Sequence, residues 1–156
     1  METTVTAMEQ YQVAEVELIY KTKVKASERP KVIHSKDVYH IFKDSWDENK
    51  IDFIEQFKIM LLNRSNRVLG IYEVSTGGIT GTVADPRVII AAALKANAVS
   101  IALCHNHPSG EIKPSRQDQE LTQKIKNGAQ FLDIQVIDHV IITTESYYSF
   151  SDEGLL

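Results

Sequence analysis

The chain has 156 residues, 43% hydrophobic and 24% charged, with a formal net charge of −4 and one cysteine. This length supports a single domain with a substantial core, and the composition is that of a soluble globular protein. No apolar run reaches the roughly 18 residues of a membrane span, one cysteine excludes an internal disulfide, and an acidic total without a long basic run argues against tight non-specific nucleic-acid binding.

Residues 1–12 read as a poorly anchored tail ahead of a single domain over 13–156. The start, Met1-Glu2-Thr3-Thr4, lacks the basic and apolar regions of a signal peptide. With the lone cysteine, this points to a reducing cytoplasm and to no membrane partner. Val13 to Tyr20 reads as a strand, with Val16, Leu18 and Tyr20 on one face. Lys21, Lys23, Lys25, Arg29 and Lys31 form a basic stretch that reads as a solvated loop, with a phosphate-binding stripe as the alternative. Ser35 can cap a helix to about Trp46, in which Val38, Ile41 and Phe42 keep helical spacing. Asp47 to Lys50 reads as a polar connection.

Two strands are expected at about 54–62 and 67–75, joined by a turn at Asn63-Arg64-Ser65-Asn66. Gly77, Gly78 and Gly81 break the pattern. Asp85-Pro86 starts a helix, the carboxylate accepting free backbone N–H groups and the proline suiting the first position. That helix should end near Asn97. Val99-Ser100-Ile101-Ala102-Leu103 reads as a buried strand. Ser115 opens a further helix to about Asn127-Gly128, with the glycine as its C-terminal cap. Strands near 132–137, 138–144 and 146–150 close the chain. This order gives a mixed sheet with helices packed against it.

The chemistry concentrates in Cys104-His105-Asn106-His107-Pro108-Ser109-Gly110, followed by Ser115 and Asp118. Alternate side chains on a strand share a face, so His105 and His107 project together while Cys104 and Asn106 turn away. Two same-face imidazoles, a returning carboxylate and an open position are what a catalytic zinc site needs. Asp118 has a competing reading, because Ser115-Arg116-Gln117-Asp118 also matches a capping box. The two overlap if Ser115 starts the helix and Asp118 points back from its first turn. Three protein ligands leave the fourth position to water, which requires a general base nearby. Glu55, Glu73 and Glu111 are all candidates for it. His139, within Val136-Ile137-Asp138-His139-Val140-Ile141, can be read as a ligand, as a partner behind the ligands or as a satisfied structural histidine, the last being favoured. Cys104 reads as a buried apolar residue, and His34 and His40 carry no pattern.

Glu55, His105-x-His107, seven residues, then Ser115-x-x-Asp118 resembles the JAMM (MPN/JAB-type) metalloprotease signature. The string His105-Asn106-His107-Pro108-Ser109-Gly110, with Pro114-Ser115-Arg116-Gln117-Asp118, is similar to the RadC branch of that family. Glu55-Gln56-Phe57, Leu61-Leu62-Asn63, Gly81-Thr82-Val83 and Asp138-His139-Val140-Ile141 agree. The resemblance covers roughly residues 30–150. It implies a cytidine-deaminase-like three-layer α/β/α fold with a mixed β-sheet. It implies one catalytic Zn2+ on His105, His107 and Asp118, with Glu55 as general base and Ser115 stabilising the oxyanion. Active members cleave peptide or isopeptide bonds, so a protein or peptide substrate is expected.

Longer RadC-like proteins carry an N-terminal helix-hairpin-helix DNA-binding region. About 30 residues precede the resemblance here, too few for it, so a short form is expected and the RadC association with DNA repair loses its most direct physical support. The alternative to a zinc hydrolase is a non-catalytic DNA-repair or DNA/protein-binding module that retains the metal site. A deaminase is disfavoured, because the His-x-Glu and Pro-Cys-x-x-Cys ligands are missing.

Overall fold

The computed structural model describes residues 12–17, 19–78 and 82–156. Its centre is a five-stranded mixed sheet in the order β2-β1-β3-β4-β5. The strands are β1 (Gln56–Leu62), β2 (Val68–Thr76), β3 (Ser100–Asn106), β4 (Gln135–Ile142) and β5 (Tyr147–Ser149). β3 and β4 run parallel, and the other neighbouring pairs are antiparallel.

The sheet buries both faces: every residue of Gln56–Leu62 and Ser100–Asn106 is buried, which fits the unbroken apolar runs Ile59–Leu62 and Ile101–Cys104 better than alternation would. On one face Phe57, Ile59, Leu61, Ile101 and Leu103 meet α3 (Pro86–Lys95) and α4 (Arg116–Gln130) through Ile89, Ala93, Ile125 and Ala129. On the other, Met60, Leu62, Ala102, Cys104 and Val140 meet Val38 and Phe42 of α1 (Ser35–Ser45) and Ile51 of α2 (Glu48–Ile51). The short α2 occupies the stretch expected to be a plain connection, with Asp47 as its cap.

The β1–β2 turn forms as expected. Asn63 Oδ1 accepts from Ser65 N and Arg67 N, and Asn66 takes φ 56°. Asp85 caps α3 through Arg87 N at 2.9 Å, and Asn97, at φ 54°, turns the chain after it.

Three further expectations are corrected. Val13–Tyr20 carries no strand among its described residues, and Leu18 lies outside them. Val13 and Val16 are 58% and 85% exposed, so no apolar face is there to be buried, and the Tyr20 hydroxyl donates to the Leu69 carbonyl instead. The basic residues that follow lie in largely exposed irregular chain. Next, α4 runs through Gly128 to Gln130, because Ala129 continues the buried face set by Thr122 and Ile125. Finally, the boundary expected at 137/138 is absent. β4 passes through Asp138, whose carboxylate is buried but accepts from the Ser149 hydroxyl at 2.7 Å, Ser151 N and His139 N. Of the expected tail only Gln12 is described, and Gly81 also lies outside the described residues.

Candidate metal centre

β3 delivers the two histidines. His107 N donates to Ile142 O at 3.1 Å, so the extended geometry continues one residue beyond the strand and His107 stays on the face of His105. His105 is 1% exposed and stacks on Phe57, its β1 partner in the register. The two Nε2 atoms are 2.9 Å apart.

α4 delivers the carboxylate. Ser115 is its N-cap and Asp118 its third residue: Ser115 Oγ accepts from Asp118 N at 3.1 Å and Asp118 Oδ2 accepts from Ser115 N at 2.8 Å. The capping box is therefore real, and it does not compete with the metal reading. The curl that returns the carboxylate to the cap also sets Oδ1 3.4 Å from His105 Nε2 and Oδ2 3.5 Å from His107 Nε2. Bonds of about 2.0–2.1 Å in a tetrahedron separate ligand atoms by roughly 3.3–3.4 Å. The two histidine–Asp118 separations match this, and the Nε2 pair, at 2.9 Å, has only to open slightly for the three side chains to hold one small cation.

Hydrogen bonds behind the histidines decide which nitrogens face the site. Thr122 donates its only hydroxyl proton to the Asp118 carbonyl at 2.6 Å, so its oxygen accepts from His139 Nδ1–H. His139 is fully buried, and that burial, with His105 beside it, pushes its pKa well below the usual histidine range. A neutral His139 then accepts at Nε2 from His105 Nδ1–H, 2.8 Å away. His107 Nδ1 donates to the Glu111 carbonyl. Both Nε2 atoms thus turn lone pairs to the Asp118 carboxylate, an all-acceptor set that calls for a cation. Burial pushes the Asp118 carboxyl up, but the adjoining His105 and His107 imidazoles outweigh it and hold the group well below the usual carboxylate range. Burial lowers the His107 pKa, but Asp118, the Glu111 carbonyl and Glu55 outweigh it and raise the value.

His107 and Asp118 line a cleft of about 900 Å³, with Glu55, Glu111 and Ser115 also on its wall, while His105 lies buried behind them. The three candidate bases now separate. Glu73 belongs elsewhere: its carboxylate accepts from Gln56 Nε2 at 2.6 Å and does not line this cleft. Glu111 lines it from an exposed loop, with its carboxylate accepting from Lys113 N. Glu55 is half-buried and immediately precedes β1, with its carbonyl accepting from Gly77 N. Cys104 faces away, paired with Lys58 across the strands, and burial pushes its thiol pKa well up. None of the basic residues of 21–31 lines the cleft. His139 proves to be the partner behind His105 rather than a ligand. Thr122 went unnoticed in the sequence, although its place four residues after Asp118 puts both on one helical face.

The family described as RadC-like JAB domain matches residues 32–155. A UPF0758 protein of Flavobacterium johnsoniae is 42% identical over 125 residues, 80% of this chain and 53% of that protein. One from Desulfitobacterium hafniense is 35% identical over 128 residues, 82% of this chain and 55% of that protein. The chain spans about half the length of the curated relatives it matches.

Proposed function

The chain belongs to the RadC-like JAB domain family, and on that premise we propose that it is a zinc-dependent hydrolase that cleaves a peptide or isopeptide bond. The observation that carries this reading is the convergence of His105, His107 and Asp118 on one point at the wall of an open cleft. A structural zinc site closes its fourth position with protein, whereas a catalytic site keeps it open. The sheet covered on both faces fits the cytidine-deaminase-like three-layer arrangement expected of JAMM domains.

His105, His107 and Asp118 would hold the ion. When bound, zinc lowers the pKa of a water at its open position to about 7 and polarises the amide carbonyl. Glu55 takes the proton from the attacking water and returns it to the leaving amine. Ser115 suits the oxyanion because its cap role uses the oxygen as an acceptor and leaves the hydroxyl proton free to donate.

The test uses protein loaded with one zinc, screened on peptide and isopeptide-linked substrates. Glu55→Gln is expected to keep the zinc and lose about 10²–10⁴-fold in kcat. Cleavage that survives the substitution undiminished contradicts the role given to Glu55. Loss of zinc would make Glu55 a ligand instead.

A further inference from the structure

We propose that Asn106, the residue between the two histidines, is a positioning residue that fixes Glu55 relative to them; this rests on Glu55 being the base. Alternation turns the Asn106 side chain to the sheet face opposite the metal centre, where it is fully buried. Its hydrogen bonds there go to backbone groups. Oδ1 accepts from Gln56 N at 2.7 Å, and Nδ2 donates to the carbonyls of Ile51 at 2.8 Å and Ile54 at 2.9 Å. Ile54 and Gln56 are the immediate neighbours of Glu55 in the chain.

The position of this clamp in the ladder matters. The β1–β3 register ends at Phe57↔His105. Continued, it would set Gln56 against Asn106 and Glu55 against His107. In place of the next backbone bond, the Asn106 side chain takes the Gln56 N–H and holds the bend before it. The residue that spaces the two histidines therefore also sets where the glutamate stands. The contacts demand this amide: one acceptor and two donors on a short stem. Aspartate lacks the donors, glutamine is longer and serine has a single donor. A buried polar side chain can simply satisfy a loop, so the test needs a readout that mere packing does not move.

That readout is the visible spectrum of the Co2+-substituted protein followed against pH, which reports ionisation beside the ion. Glu55→Gln is expected to shift its midpoint by about half a pH unit or more, because it removes a neighbouring negative charge. Asn106→Ser is expected to shift it in the same direction while zinc affinity, by chelator competition, stays within about threefold of wild type. The Asn106→Ser/Glu55→Gln double variant should match Glu55→Gln alone, since both act through one carboxylate. An unmoved midpoint in Asn106→Ser, additive shifts in the double variant, or a tenfold loss of zinc affinity overturns the proposal.

Should Asn106→Ser fail to fold, amide exchange on the wild type decides. The Asn106 side-chain NH2 and the Gln56 N–H are expected to be protected, and free exchange of either overturns the clamp. A wild type that binds no Co2+, or a midpoint unmoved by Glu55→Gln, instead sinks the reading of Glu55, and this proposal falls with it.

Discussion

Ser115 and Asp118 each do two things at once. The cap bonds that start α4 aim the carboxylate at the histidines and leave the serine hydroxyl free to donate. Ser115→Ala is therefore expected to destabilise the fold by about 1 kcal/mol through the lost cap. It should lower turnover by about 10²-fold through the lost oxyanion donor. Urea unfolding and steady-state kinetics separate the two effects, and unchanged turnover would leave the serine as a cap alone. Behind the ligands, His139→Leu removes the acceptor that orients His105. Zinc affinity should fall about 10–100-fold by chelator competition, and Thr122→Val should act in the same direction but less. Unchanged affinity in both would return His139 to a packing role.

The same histidine gives a pH dependence whose sign is fixed. Its pKa is depressed in the folded chain, largely by burial, so below about 6.5 the unfolded chain binds a proton that the folded chain resists. Its contribution to stability is complete above that pH and is lost as the pH falls beneath it, by at most about 1.4 kcal/mol per pH unit. With chelator present, unfolding midpoints at pH 7.5 and pH 5.5 should differ less in His139→Leu than in wild type.

Among the elements, the starts of α3 and α4, the β1–β2 turn and the histidine strand were readable because local chemistry sets them. Asp85-Pro86, the Ser115 box and Asn63–Asn66 all form where the sequence places them. What could not be read depends on distant partners. The β3–β4 register shifts between Ile101 and Ala102, so Val136 and His139 fall on one face although they are three residues apart. Plain alternation from Val136 would have turned His139 away from the site. Gly128 was misread as a helix end because a glycine near the close of a polar helix looks like a cap. The buried Ala129 and Ile134 beyond it decide otherwise. The two readings differ in a measurable sign. Gly128 lies inside the helix, and an added Cβ meets nothing within 4 Å. Gly128→Ala should stabilise by about 0.5–1 kcal/mol in urea unfolding. Gly110→Ala, at φ 86°, should destabilise. A destabilising Gly128→Ala would restore the cap.

At the scale of the whole molecule, the site is assembled from elements far apart in the chain. Glu55 comes from the approach to β1, the histidines from β3, Asp118 from α4 and His139 from β4. The histidine–serine–aspartate spacing was legible because strand alternation and a helix cap are local. The choice among Glu55, Glu73 and Glu111 needed a resemblance, since residue 55 reaches the cleft of His107 only because β1 pairs with β3, which no local pattern reveals. An ion that joins these elements binds the folded chain alone. Zinc at about 100 times its Kd should add about 2.7 kcal/mol. For a chain of this size that raises the Tm by roughly 5–11 °C.

The most direct test is zinc per chain by elemental analysis, on tag-free wild type beside His107→Ala, each folded and offered free zinc. Near one zinc in the wild type and near none in the variant is the result expected from three side chains converging on one ion. No zinc in either, or equal zinc in both, would contradict it. Asp118 would then be left as the partner of a helix cap and no more.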